Sequence, residues 1–297
     1  MKKTAVGSSL LLFMAACIWG VAFVAQSVGM DYMGAFTFNG VRFLIGGTVL
    51  LPLVFTRREK IRQTPVRVTL KGGVCCGLVI CAASAFQQIG IQYTSVGKAG
   101  FITTLYIILV PVFGLFLHKK APGKVWAAAA IAAAGLYLLC VRESFSVGKG
   151  DALVFVCAVL FTVHILVIDY FSPKADGVAL SCIQFFTAGI ICTVIAFLTE
   201  KPAVEQLTAG AVPLLYAGVM SCGIAYTLQI IGQKALEPTV ASLILSMESV
   251  ISVLAGWVIL GQALSRKELF GCALVFAAVI LVQLPQREKE AEEITAV

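Results

Sequence analysis

The sequence predicts an all-α membrane protein with ten transmembrane helices in two inverted five-helix repeats. Hydrophobic residues make up 60% of the 297 positions and charged residues only 12%, whereas a soluble domain carries about 25% charged residues. The mean hydropathy is +0.98. The apolar stretches are continuous rather than alternating with a period of two, which favours membrane helices over strands. This composition argues against a water-soluble enzyme and against a nucleic-acid-binding protein, despite a net charge of +7.

Ten stretches of the chain are long and apolar enough to cross a bilayer as helices, for which about 20 residues are needed. Only Arg42 and Glu248 interrupt them. The connections between them are short, so the sequence predicts no inserted soluble domain. The stretches are 4–30, 32–56, 72–97, 99–118, 125–141, 152–168, 177–199, 206–233, 238–265 and 269–286, and they are numbered below as spans 1 to 10.

The distribution of Lys and Arg predicts the orientation in the membrane. With ten spans, fifteen of these residues fall on the side of the N-terminus and six on the other side, while Arg42 lies within span 2. Cytoplasmic loops carry the excess of positive charge, so we expect a multi-pass protein of the cell membrane with both termini in the cytoplasm. The first apolar stretch is longer than the core of a signal peptide and is interpreted as an uncleaved helix. Residues 287–297 are expected to form a cytoplasmic tail.

An internal repeat relates the two halves of the chain. One ungapped offset of 142 residues superposes all five pairs of spans and places Gln87 on Gln229 and Ala99 on Ala241. The predicted repeats are 4–141 and 151–286. Because each repeat has an odd number of spans, the second must be inverted relative to the first. Inverted repeats are typical of transporters, with the substrate site near the membrane midplane; a duplicated membrane scaffold without transport is the alternative.

Two motifs resemble those of the EamA-type drug/metabolite transporters. Residues 93–101 (YTSVGKAGF), followed by 111–113 (PVF), resemble the fourth helix of that family. Residues 247–250 (MESV), followed by Gly256, are similar to its ninth helix. Here Ser249 replaces the usual proline, and Gln262 replaces the usual second glutamate. The resemblance covers nearly the whole chain and implies ten helices in two inverted repeats. It also implies movement of small organic solutes, often amino acids or other metabolites and frequently outward.

Glu248 is the most informative polar residue, because it is the one carboxylate within a predicted span. Ionisable side chains at that depth usually face the interior of the bundle. Glu248 has three possible roles: carrying a proton, binding a substrate amine, or forming a hydrogen bond between helices. The 142-residue offset places it on Tyr106, so two polar groups are expected at matching depth.

Further polar and aromatic side chains complete the predicted site. His164 is either a cavity-lining proton switch or a hydrogen-bonded interior residue. Arg42 faces either an anionic substrate group or a structural acceptor, and the family resemblance, which puts span 2 at the periphery of the cavity, favours the structural role. We expect a midplane substrate site lined by Trp19, Gln87, Tyr106, His164, Tyr226 and Glu248, with proton coupling assigned to Glu248.

The predicted function is secondary-active export of a small organic metabolite, such as an amino acid, by alternating access and with proton or exchange coupling. Its expected partners are a small-molecule substrate and the lipid bilayer but no nucleic acid, and the oligomeric state is left open. We expect no catalytic residue, cofactor or metal site. A membrane enzyme and a channel lack supporting motifs. An exchanger of phosphorylated sugars or nucleotide-sugars would need cavity Lys or Arg residues, and spans 6 to 10 have none in their interiors.

Overall fold

The computed structural model describes residues 2–94, 96–118, 122–140, 148–260 and 265–284. Within these ranges all regular structure is helical. The helices are α1 (Lys2–Gly29), α2 (Ala35–Thr56), α3 (Arg58–Arg62), α4 (Val66–Ile91), α5 (Val96–Thr103), α6 (Tyr106–Phe116), α7 (Gly123–Cys140), α8 (Lys149–Phe171), α9 (Gly177–Thr199), α10 (Val204–Ala209), α11 (Ala211–Leu215), a π-helical segment (Tyr216–Tyr226), α12 (Thr227–Gln233), α13 (Pro238–Leu245), α14 (Met247–Leu260) and α15 (Arg266–Gln283).

Eight stretches in the described part of the chain are long and apolar enough to cross a membrane, and they coincide with predicted spans 1 to 4 and 6 to 9. The other two predicted spans correspond to α7 and α15, which have 18 residues each. Of these, α7 contains a shorter apolar helix, Gly123–Leu138, and α15 has Arg266, Lys267 and Glu268 in its first turn. The predicted tail, 287–297, lies outside the described residues.

The outer surface of the bundle is apolar. Phe116, Leu198 and Val212 are each about four-fifths exposed, at 79%, 79% and 80%. Large exposed apolar patches of this kind are rare on soluble monomers, whereas hydrocarbon solvates them well. The chain is therefore a multi-pass membrane protein.

Several spans differ from the continuous helices that hydropathy predicts. Spans 4 and 9 are each broken near the middle, between α5 and α6 and between α13 and α14. Span 8 begins at Ala211, after the separate short helix α10, and contains the π-helical segment. Span 3 begins earlier than predicted, at Val66, because a helix extends beyond the hydrocarbon and can include charged residues such as Arg67 and Lys71.

Two close helix contacts organise the bundle around its centre. A Cβ added at Gly150 of α8 would lie 2.8 Å from the carbonyl oxygen of Gly90 in α4, so only glycine permits this approach. In the same way, a Cβ at Gly135 of α7 would lie 2.8 Å from the carbonyl oxygen of Gly271 in α15. Small residues of this kind let membrane helices pack closely. The helices α2 and α9 also pack along each other, and α1 packs on α14.

Candidate functional site

Both broken spans are interrupted at residues that the 142-residue offset makes equivalent. Thr104 and Leu105 separate α5 from α6, and Ser246 separates α13 from α14. The Thr104 hydroxyl donates to the carbonyl oxygens of Gly100 and Phe101, at 2.9 Å each. The Ser246 hydroxyl likewise donates to the carbonyl oxygen of Leu243 at 2.7 Å. Such side-chain bonds to the preceding turn bend helices, and paired broken helices indicate a binding site in transporters.

The first turns after the two breaks are joined by a hydrogen bond between equivalent residues. The Tyr106 hydroxyl donates to Oε1 of Glu248 at 2.9 Å. Both side chains are buried, with 4% and 5% exposure. Next to this pair, the hydroxyls of Thr104 and Ser249 lie 3.0 Å apart. The carboxyl group is thus held at the meeting point of the two halves.

A narrow cavity of about 30 Å³ adjoins the Tyr106–Glu248 pair and is called the central cavity here. It receives side chains from α1, α2, α4 to α6, α8, the π-helical segment and α12 to α14. It is lined by Trp19, Phe23, Gln26, Arg42, Gln87, Thr103, Tyr106, Phe161, Ile165, Ser221, Tyr226, Gln229, Leu245 and Glu248. Five of the six site residues predicted from the sequence are therefore brought together, namely Trp19, Gln87, Tyr106, Tyr226 and Glu248.

His164, the sixth predicted residue, lies behind the cavity wall. It is 1% exposed and is not among the lining residues. Its Nε2 is 3.1 Å from Oε1 of Gln184, and its ring packs edge-on against Tyr226 with centroids 6.0 Å apart. Of the two interpretations offered by the sequence, this position matches the hydrogen-bonded interior residue.

A row of aromatic rings crosses the wall of the central cavity. It runs from Trp19 to Tyr226, with centroids 4.5 Å apart, then to Phe185 at 5.7 Å and to Phe43 at 5.9 Å. The row ends at Arg42, whose guanidinium carbon lies 5.0 Å from the Phe43 centroid. At the opposite end, Nε1 of Trp19 is buried without a hydrogen-bond acceptor in the described part of the chain.

Arg42 has an unusual environment for a buried charge. It is 2% exposed, and its guanidinium lies against the rings of Phe38 and Phe43. In the described ranges no carboxylate oxygen lies within 4 Å of it, and its Nε has no hydrogen-bond acceptor. A desolvated cation–π contact supplies about 2 kcal/mol or more, and burying an unpaired ion costs several kcal/mol. The rings offset part of this cost, and no carboxylate of the described chain neutralises the charge.

A second, wider cavity lies one helical turn from the central one and is called the end cavity. In α6, Tyr106 lines the central cavity and Val110, about one turn further on, lines the end cavity; in α8 the neighbouring residues Ile165 and Leu166 line the first and the second. The end cavity contains the C-terminal end of α8 and the N-terminal end of α13, at Asp169 and Pro238. A Cβ added at Gly232 of α12 would lie 3.0 Å from the carbonyl oxygen of Ser8 in α1. The end cavity therefore lies at the end of the bundle where α1 begins.

Sequence reasoning missed part of the central cavity. Phe23 and Gln26 follow Trp19 at positions four and seven residues on, the spacing of one helix face, so periodicity could have found them. Ser221 lies five residues before Tyr226 in the π-helical segment. That spacing does not share a face of an α-helix, and nothing in the sequence signals it. In the described ranges no group of three or more His, Cys, Asp or Glu residues is arranged to hold a metal ion.

Multiple apolar helices, two of them broken at equivalent positions around a buried polar cavity, define the architecture of a membrane transporter. The sequence model of the EamA-like transporter family matches this chain twice, over residues 7–141 and 148–284. The chain belongs to this family, which confirms the resemblance seen in its fourth- and ninth-span motifs.

The similar curated proteins carry the same general description. An "uncharacterized transporter" of Archaeoglobus fulgidus is 29% identical over 274 residues, covering 92% of this chain and 84% of that protein. The "uncharacterized inner membrane transporter YedA" of Escherichia coli K12 is 23% identical and covers 92% and 89%. A solved structure entitled "Crystal structure of protein" is 20% identical, with a TM-score of 0.78 and coverage of 93% and 96%; this likeness shows the fold alone.

Proposed function

We propose that this chain is a secondary transporter that moves a small organic metabolite through the central cavity by alternating access, in the outward direction. The observation that carries the proposal is the hydrogen bond between Tyr106 and Glu248, which joins equivalent residues of the two halves beside a buried cavity. A site shared by two inverted halves can be reached from either side as the halves rock.

The proposed arrangement is ten spans in two inverted repeats, 4–141 and 151–286, with both termini in the cytoplasm. The observed helix contacts support this arrangement. When residue numbers are shifted by 142, each major pair of contacting helices maps onto a pair that is also in contact. The α4–α8 contact becomes that of α1 with the π-helical segment and α12. The contacts of α1 with α13 and α14 become those of α8 with α5 and α6. The pairs α2–α9 and α7–α15 convert into themselves.

In this arrangement the end cavity is the cytoplasmic vestibule. It lies at the end where α1 begins, which the charge distribution assigns to the cytoplasm. A solute would enter there and pass one helical turn to reach the central cavity. Glu248 is proposed to carry the coupling proton, since it is the carboxyl group within that cavity and intramembrane carboxyl groups commonly act as proton relays.

The transport proposal is tested with purified protein in proteoliposomes. A panel of radiolabelled amino acids, short organic acids, amines and nucleosides is offered with and without a pH gradient. Saturable uptake together with counterflow of at least one solute is expected. Uptake that rises linearly with concentration and shows no counterflow would indicate a channel instead, and the absence of any flux would support a scaffold.

The inverted topology is tested at Gln63 and Glu205, which are 142 residues apart and lie between spans 2 and 3 and between spans 7 and 8. A reporter inserted at Gln63 is expected in the cytoplasm and one at Glu205 outside. Finding both reporters on the same side would contradict the inverted repeat.

A further inference from the structure

We propose that Arg42 is the subsite that binds a carboxylate of the transported solute. The inference rests on the proposed function and names the chemical class of the solute: a small organic acid with a hydrogen-bond donor group elsewhere, as in a zwitterionic amino acid. The sequence left this role open for Arg42, and the position of its side chain in the cavity now carries it.

The Arg42 guanidinium lacks an anionic partner among the described residues. In the described part of the chain its carbon lies 5.5 and 5.0 Å from the ring centroids of Phe38 and Phe43, and no carboxylate oxygen is within 4 Å. The side chain is 98% buried, yet it lines the central cavity. A guanidinium presents five N–H donors in a planar fork that fits a carboxylate. A carboxylate in the cavity would supply the acceptors that the described chain does not.

Other polar atoms that line the cavity also lack a hydrogen-bond partner in the described ranges. Nε1 of Trp19 is a buried donor without an acceptor, and Oε1 of Gln26 and Oε1 of Gln229 are buried acceptors without donors among the described residues. All three side chains line the same cavity as Arg42 and Glu248. A solute that carries both an acidic group and a donor group matches this set, because buried polar groups are normally paired.

The number of charges favours a carboxylate over a phosphate. Arg42 is the one Lys or Arg among the side chains that line the central cavity in the described ranges. Phosphate groups carry close to two charges at neutral pH, and their sites usually gather several cationic or N–H donors. A single guanidinium flanked by phenyl rings is suited to one negative charge.

The competing explanation is that Arg42 serves as the counter-ion of Glu248 in another state of the transport cycle. Both side chains line the cavity. This explanation assigns no solute group to Arg42, so it predicts no difference between solutes with and without a carboxylate. The two explanations are therefore separated by changing the solute as well as the protein.

The first part of the test uses the wild-type protein in proteoliposomes. The amino acid that gives the strongest counterflow is compared, as competitor, with its carboxamide and with its decarboxylated amine. We expect the amide and the amine to compete at least about thirtyfold more weakly. This factor corresponds to the lower end of the binding free energy that is lost when one partner of a buried charge pair is removed. Equal competition by acid and amide would overturn the assignment.

The second part uses Arg42→Gln, with Arg57→Gln as the matched control. Arg57 is paired with Asp176 at 3.3 Å and lies outside the central cavity. Arg42→Gln should reduce the acid-to-amide discrimination from about thirtyfold to less than about threefold, with Arg42→Lys intermediate, whereas Arg57→Gln should leave it unchanged. Restored counterflow in the double variant Arg42→Gln, Glu248→Gln, with equal competition by acid and amide in the wild type, would instead establish the counter-ion explanation and overturn ours.

The outcomes distinguish this inference from the proposed function. If no solute of the panel shows counterflow, the proposed transport function fails. If a solute is carried but lacks a carboxylate, or if its amide competes equally, transport stands and the Arg42 assignment is overturned. Should Arg42→Gln not fold, the competition measured on the wild-type protein still decides.

Discussion

The central cavity and the α7–α15 pair are both buried, but the two regions are built from opposite kinds of residues. The cavity contains Arg42 and Glu248 together with several amides and hydroxyls. The α7–α15 contact is made by Ala-rich helices that meet at Gly135 and Gly271. Burial of polar groups costs free energy unless they are paired. The unpaired polar groups of the central cavity are suited to bind a solute. The close apolar packing of α7 against α15 is suited to support the fold.

The sharpest functional test of this comparison is Glu248→Gln, which keeps the side-chain shape but cannot carry a proton. We expect the variant to fold, to bind solute and to retain some solute–solute exchange, while pH-gradient-driven uptake is lost. Uptake and exchange are measured separately in the same proteoliposomes. Full gradient-driven uptake by this variant would remove the proton-carrying role from Glu248.

The sharpest structural test is Gly135→Leu in the supporting region. The Cβ would lie 2.8 Å from the carbonyl oxygen of Gly271, so α7 and α15 must separate. We expect a destabilisation of about 3 kcal/mol, observed as a lower melting temperature and less monodisperse protein. Gly123→Leu in the same helix is the control, because nothing lies within 4 Å of its added Cβ. Similar losses of stability in both variants would mean that the destabilisation does not come from the close contact between α7 and α15.

A smaller effect is expected for Tyr106→Phe, which removes the hydroxyl bonded to Glu248. A hydrogen bond of this kind is worth about 1 kcal/mol, so the solute affinity should change by roughly fivefold. Tyr137→Phe on α7 serves as control, since Tyr137 is 46% exposed and lies away from the cavity. Affinities are measured by competition in counterflow. An unchanged affinity in Tyr106→Phe would show that the hydrogen bond between Tyr106 and Glu248 does not contribute to solute binding.

The smallest effect is expected for His164→Gln. The side chain lies behind the wall and contacts Gln184, and glutamine can preserve a hydrogen bond there. We expect transport rates within about threefold of the wild type, because the group does not touch the solute and the net value of one hydrogen bond is small. A loss of tenfold or more in the initial rate of uptake would restore His164 to the predicted substrate site.

Sequence reasoning located the Tyr106–Glu248 pair at the centre of the cavity but not the cavity's shape. Polarity within apolar stretches, combined with the 142-residue offset, identified Gln87, Tyr106 and Glu248. The breaks at Thr104 and Ser246 were missed because hydropathy averages over a window and does not register one non-helical turn. The structural role favoured for Arg42 was drawn from the placement of its span, and that placement does not tell which way a long side chain points.

The central claim, that the cavity between the two halves binds the solute, is tested most directly by a structure of the protein with its transported solute bound. The account predicts density for the solute in contact with Trp19, Tyr226 and Glu248, with its carboxylate at Arg42. Density confined to the end cavity or to the lipid-facing surface, with the central cavity empty at saturating solute, would contradict it.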